Sequence, residues 1–144
     1  MPPTASQTGP GRDPRTDSSL VGAMARVELT VTDADTAQAV GSGDVPVLAT
    51  PRVLTLAEAA TVTATTRRLV PGVTTVGTRV TLEHRAATPV GRRVTAEARL
   101  DEVDGRTLRF SVTVRDGSTV VAEGTVERVL VDRQRFLAQA LGTS

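Results

Sequence analysis

Apolar positions along this chain change period twice. From Ala25 to Thr32 they alternate, with Val27, Leu29 and Val31 on one face, which predicts a half-buried strand. Asp33 to Val47 loses the alternation and contains glycine, so it reads as a loop or short irregular helix placed to cover a pocket. From Arg52 to Thr65 the period becomes 3.6, with Leu54, Glu58 and Thr61/Val62/Thr65 on one face. Val53, Leu56, Ala57, Ala60 and Ala64 cover most of the remainder, and a helix apolar nearly all round is an enclosed one. Thr50 supplies an N-cap before Pro51, and Arg67-Arg68 and Pro71-Gly72 close the helix. Period two then returns. Val76, Thr78, Val80, Leu82, His84 and Ala86 form one face of a second strand, and Thr81, Glu83 and Arg85 form its wet face. Val94, Ala96, Ala98 and Leu100 line a third, and Leu108, Phe110, Val112 and Val114 a fourth. Ala122, Gly124, Val126, Arg128 and Leu130 line a fifth. Asp104-Gly105 and Asp116-Gly117 are hairpin signals, and Arg133 to Leu141 suits a short terminal helix.

The order is one strand, one long apolar helix, then four antiparallel strands. A single antiparallel sheet must cover its apolar face, and only the helix is there to do it. The expected fold is therefore α+β, a sheet wrapped around one central helix, which is the hotdog architecture. So small a domain leaves an open sheet edge and an exposed pocket, and pairing as a homodimer would close both.

Composition narrows the function. The 144 residues suit one domain, and the absence of Cys with a single His excludes disulfides, thiol chemistry and Cys/His metal sites. A net charge of +1 gives no overall pull toward nucleic acid, and two Phe with no Tyr or Trp give no base-stacking platform. All 17 basic residues are Arg, which speaks of genome composition and not of a partner. No stretch is long and apolar enough to span a membrane. Residues 1–21 are rich in Pro, Gly, Ser and Thr without the apolar centre of a secretory signal, and read as a disordered leader to a domain over 22–144. The expected location is cytoplasmic.

Two ionisable residues stand where hydrocarbon would serve. Glu58 lies on the apolar helix, and His84, the single histidine, lies on the regular strand. Buried ionisable groups are costly unless paired, which makes them candidates for chemistry. Glu58 suits a base or nucleophile aimed into an apolar cleft; its structural rival is a capping box, Thr55-Leu-Ala-Glu58, reaching back to a helix start at Thr55. A lone inward His is more often a satisfied core residue than a catalyst, but each of this pair is the other's natural partner, within a protomer or across a dimer. Thr50, whatever its capping role, adds a hydroxyl at the positive helix end, where backbone N–H groups can hold an oxyanion. Arg128 points inward and needs an anion, structural or from a ligand phosphate. Gly77 allows close approach of a ligand or marks a bulge. Arg92-Arg93 could meet phosphates, but a solvated turn is the simpler role. No phosphate-binding glycine loop and no Gly-x-Ser-x-Gly elbow are present.

These residues fall in runs that look familiar. Val47-Leu-Ala-Thr50, Glu58, Pro71-Gly72, Gly77-Thr-Arg-Val-Thr-Leu-Glu-His84, Ala86-Ala-Thr-Pro89 and Glu123-Gly-Thr-Val-Glu-Arg128 together resemble the fluoroacetyl-CoA thioesterase-like family of hotdog proteins, from about Gly22 to Phe136. Each run is short; the combined spacing of Thr50, Glu58 and His84 is the specific signal. The resemblance implies that Thr50, Glu58 and His84 form the catalytic set. It also implies that Gly77 sits near the substrate carbonyl, that Arg128 is the family's inward arginine, and that a homodimer binds acyl-CoA near its interface. One departure stands out. Fluoroacetyl-specific members close the acyl pocket with aromatic side chains ahead of the catalytic Thr, whereas Asp33 to Ala49 contains none.

The function expected is hydrolysis of an acyl-CoA thioester without cofactor or metal. Glu58 would attack the carbonyl or activate water, His84 would shuttle the proton, and Thr50 would hydrogen-bond the carboxylate or the thioester. The alternative is a non-catalytic hotdog module binding acyl-CoA or another small apolar ligand. A hotdog hydratase is disfavoured, because its acid and His lie close on one segment, whereas here they stand at 58 and 84.

Overall fold

The computed structural model describes residues 18–142. The leader expected over residues 1–21 therefore lies mostly outside the described residues, and its last part departs from the expectation. Ser18–Leu20 forms a 3-10 turn, Leu20 is buried in the core, and Gly22 N–H donates to Leu100 O.

Five strands form one antiparallel sheet: β1 (Met24–Thr30), β2 (Val73–His84), β3 (Arg93–Asp104), β4 (Thr107–Asp116) and β5 (Thr119–Asp132). Their order is β1-β3-β4-β5-β2, so β1 and β2 are the edges. The alternation read from the sequence is the alternation of burial. Val94, Ala96, Ala98 and Leu100 on β3 and Leu108, Phe110, Val112 and Val114 on β4 are all within 2% of full burial. Burying each large aliphatic or aromatic side chain contributes about 1.5–3 kcal/mol, so this face supplies the main stabilisation of the sheet.

That face is covered by α2 (Thr50–Thr65), which packs mainly on β1 and β3. A short α1 (Ala37–Val40) precedes it, and α3 (Arg133–Leu141) ends the chain, capped by the Asp132 side chain. The helix is not enclosed as its composition predicts. Val53, Leu56, Ala57, Ala60, Thr61 and Ala64 are buried on the sheet side, but Thr55, Ala59, Val62 and Thr63 are exposed. Alanine and threonine are compatible with either environment, so an apolar count overstates enclosure within one chain.

The segment between β1 and α2 is pinned. Asp35 accepts from the Thr32 N–H and hydroxyl through Oδ2 and pairs through Oδ1 with Arg52 Nε at 2.9 Å. Burial alone would raise the Asp35 pKa, but the Thr32 and Arg52 hydrogen bonds outweigh it, and the carboxyl is held below its ordinary value. Asp35 O also accepts the Ala49 N–H, which ties this clasp directly to the start of α2.

Candidate active site

The start of α2 differs from the expected cap. Ala49 is the N-cap residue and makes no side-chain cap, with Thr50 and Pro51 already helical. The Thr50 hydroxyl is instead engaged by the sheet: Oγ1 lies 2.7 Å from His84 Nδ1 at the end of β2. Hydrogen bonding to His84 and capping compete for one short side chain, and here the former prevails.

The His84 ring is poorly satisfied. Among the described residues its buried Nε2 has no hydrogen-bond partner. Burial pushes the imidazole pKa below its ordinary 6.5, and a backbone contact with Ala86 only partly opposes this. A neutral imidazole carries one donor and one acceptor nitrogen, so with Nδ1 committed to Thr50, Nε2 is the nitrogen left unmatched.

Glu58 sits two turns further along α2, roughly 12 Å along the axis at 1.5 Å per residue. The pairing expected between Glu58 and His84 is absent from the contacts of a single chain. Arg128 Nη1 donates to Glu58 Oε2 at 3.0 Å, while Arg128 Nε and Nη2 donate to Thr75 Oγ1 and O. This settles two open readings. Arg128, 7% exposed, is held as an inward cation satisfied by a carboxylate of its own chain. Glu58 does not close a capping box, since Thr55 Oγ1 donates to Pro51 O inside an established helix. Burial lowers the Arg128 pKa, and Glu58 counteracts the shift through charge and hydrogen bonding. The Glu58 side chain keeps 32% of its surface accessible, so its carboxylate is anchored but reachable.

Gly77 explains how the carboxylate fits. A Cβ built on Gly77 would collide with Glu58 Oε2 and lie 3.3 Å from Arg128 Nη1. The same place is a bulge: Gly77 pairs with Arg128 and Arg79 with Glu127, which leaves Thr78 extra. The bulge reading of Gly77 therefore holds, and the group that comes close to its backbone is the Glu58 carboxylate. The bulge also corrects the face assigned to β2. Thr75 and Gly77 face α2 and Arg128, the phase then slips by one residue, and Val80, Leu82 and His84 continue the inward row. Val76 and Thr78 do not belong to that row. Without the slip, Gly77 and His84, an odd seven positions apart, would face opposite sides of the sheet.

Beside Thr50 and His84 opens a cleft of about 350 Å³, walled by the α1–α2 segment around Val45, Val47 and Ala49 and by Ala86 and Ala87 after β2. No group of His, Cys, Asp and Glu suited to a metal ion occurs among the described residues. Likewise no helix there is long and apolar enough to cross a membrane.

A five-stranded antiparallel sheet laid over one long helix, with Thr, Glu and His brought to the helix and the facing edge strand, defines a hotdog domain of the thioesterase class. The model of the fluoroacetyl-CoA-specific thioesterase family, FlK, matches residues 31–134, and the chain belongs to that family. It is 39% identical over 93 residues to the fluoroacetyl-CoA thioesterase of Streptantibioticus cattleyicolor, covering 65% of this chain and 67% of that protein. The solved structure of the fluoroacetyl-CoA thioesterase FlK superposes with a TM-score of 0.79 at 31% identity, covering 86% of this chain and 96% of that one. A hot-dog-like protein from Thermanaerovibrio acidaminovorans reaches the same TM-score at 24% identity, covering 86% and 93%, and shares the fold.

Proposed function

We propose that this chain hydrolyses acyl-CoA thioesters as a homodimer, with Thr50, Glu58 and His84 as its catalytic residues and Gly77 and Arg128 positioning the carboxylate. The observation that carries the reading is the built contrast between Thr50–His84 and Glu58–Arg128. A poised, under-bonded imidazole and an anchored, accessible carboxylate line the same helix, and a binding pocket has no need of both. Membership of a thioesterase family supports the reaction, and the structures of FlK with acetyl-CoA and with fluoroacetate and CoA support the substrate class.

In this reading the thioester carbonyl lies between the two pairs. The Cα–Cβ bond of Glu58 leans toward the helix N-terminus, hence toward Thr50. Glu58 forms a bond to the carbonyl carbon, or removes a proton from the water that does. The C–S bond breaks and CoA departs as its thiolate. Water supplies the oxygen of the free acid; the proton it gives up reaches the neutral His84 ring, directly or by way of Glu58, and the imidazolium so formed passes it to the thiolate. Thr50 fixes the ring that performs the transfer, and Arg128 holds Oε2 so that Oε1 faces the substrate. The homodimer is supported by the unpaired β2 edge and by the half-exposed flank of Leu54, Glu58 and Val62 beside it. A cytoplasmic location is part of the same proposal.

The test is thiol release from short, branched and aromatic acyl-CoAs by the parent and by Glu58→Ala. Turnover that vanishes in a folded Glu58→Ala protein supports the assignment. Absence of turnover on every substrate, with ligand binding kept by both proteins, overturns it in favour of a binding module.

A further inference from the structure

We infer that the cleft beside Thr50 and His84 selects neutral acyl groups longer than two carbons, in departure from the acyl group named for the relatives of this chain. The inference rests on the thioesterase reading and names the substrate class of that site. Its volume is about 350 Å³, more than ten times the roughly 30 Å³ that one water occupies in the liquid. An acetyl or fluoroacetyl group would leave most of that space wet, and the aliphatic part of its lining would gain little from so small an occupant.

The lining says which end of an acyl-CoA enters. Val45, Val47, Ala49, Ala86 and Ala87 present small aliphatic surface beside the polar Ser42, Thr50 and His84, and no Phe, Tyr or Trp narrows the space. Its one cation, Arg85, is already held by Glu83 and Glu123, while Asp44 adds negative charge at the rim. A phosphate-bearing nucleotide would meet no free cation and one carboxylate, so the cleft suits the neutral acyl end. Val45 is 49% exposed on the wall, which makes it the position from which the cleft can be filled without disturbing the core.

The experiment measures kcat/KM for acetyl-, fluoroacetyl-, butyryl-, hexanoyl- and phenylacetyl-CoA. The affinities of acetyl and hexanoyl thioether analogues of CoA, which cannot be hydrolysed, are measured in parallel. The parent and Val45→Phe are compared. One methylene in an apolar pocket is worth about 10-fold or more, so the parent should favour the longer neutral acyl groups over acetyl by at least that factor. Val45→Phe should lose about 10-fold on hexanoyl- and phenylacetyl-CoA while acetyl-CoA changes far less. Equal or better turnover of acetyl- and fluoroacetyl-CoA would overturn the inference and leave the thioesterase reading intact. No turnover, with tighter binding of the hexanoyl thioether that Val45→Phe abolishes, would overturn the thioesterase reading and keep the cleft assignment. No turnover with equal thioether affinities would overturn both.

Discussion

The two polar pairs along α2 differ in how completely their atoms are satisfied. At its start, Thr50 and His84 share one hydrogen bond, and the other imidazole nitrogen is buried without a partner among the described residues. Two turns on, Arg128 spends its fork on Glu58 and Thr75 from a nearly closed position. An under-bonded neutral ring is ready to exchange a proton; a carboxylate hydrogen-bonded to a guanidinium is fixed in place. In the proposed mechanism the contrast divides the labour: the first pair moves protons, and the second presents an oxygen. The catalytic proposal stands or falls on keeping the two roles separate.

The largest expected effect removes that oxygen. Glu58→Gln keeps an acceptor for Arg128 and nearly the same volume but leaves the buried guanidinium without its counter-charge, so a folded protein less stable by about 1–3 kcal/mol is expected. Turnover should fall by about 10²–10⁴-fold, the usual worth of such a group. A variant with full activity would reduce Glu58 to a structural partner of Arg128. Single turnover in isotopically labelled water separates the two routes, since solvent oxygen recovered in Glu58 requires a bond between the carboxylate and the acyl carbon.

The second effect lies at the other pair. His84→Gln should cost about 10²-fold in kcat. Because burial holds the His84 pKa below 6.5, the acid limb of the parent's kcat/KM profile should lie below pH 6.5. Stability carries the same signature. Above pH 6.5 both folded and unfolded chains hold His84 neutral. As pH falls below 6.5 the unfolded chain takes up its proton first, so the contribution is lost as pH drops through the folded-state pKa. Denaturant titrations from pH 8 to 5 should show the parent losing stability faster than His84→Gln. Parallel curves would mean that His84 titrates as in water.

Much of this was legible in the chain, for a physical reason. Period two survives wherever a strand has one buried face, so β3, β4 and β5 emerge from Val94, Leu108 and Val126 and their neighbours without ambiguity. Glu58 and His84 stand out because ionisable groups in apolar rows are rare. Three features were hidden. The bulge at Gly77 and Thr78 shifts β2 by one residue, and alternation of Val and Thr gives no sign of it, since both suit either face. The partner of Arg128 comes from another element 70 positions away, a pairing no local pattern encodes. Thr50 looked like a cap because cap preference is local, whereas its competitor, His84, arrives through the tertiary fold. The clearest missed residue is Thr75, which receives Arg128 Nε; only the bulge makes it inward.

Gly77→Ala tests the second pair from the strand side, with a smaller expected effect. The added methyl meets the Glu58 carboxylate, and overpacking at such a contact costs about 1–3 kcal/mol. The carboxylate can relieve it by swinging away from Arg128, so kcat should fall by about 10-fold or more while the His84 acid limb stays where it is. An unchanged kcat with lowered stability would show that the position of Oε2 is structural only.

The smallest effect concerns the clasp that serves only the first pair. Asp35 holds Thr32 with one oxygen and Arg52 with the other, and its backbone carbonyl receives Ala49, the residue before Thr50. Asp35→Asn keeps an oxygen for Thr32 and loses the charge that Arg52 requires. A net loss of about 1 kcal/mol is expected, because Arg52 is partly solvated and the backbone bond remains. The pH dependence fixes its origin. The Asp35 pKa is lowered on folding, so its contribution is present above the unfolded value of 3.8 and is lost as pH falls through the folded-state pKa. The stability gap between parent and Asp35→Asn should be flat from pH 7 to 5 and close below pH 4. A loosened α2 start should lower kcat by less than that of His84→Gln and leave Glu58 and Arg128 untouched. A drop as deep as that of Glu58→Gln would mean that the clasp supports both pairs and that the division between them is false.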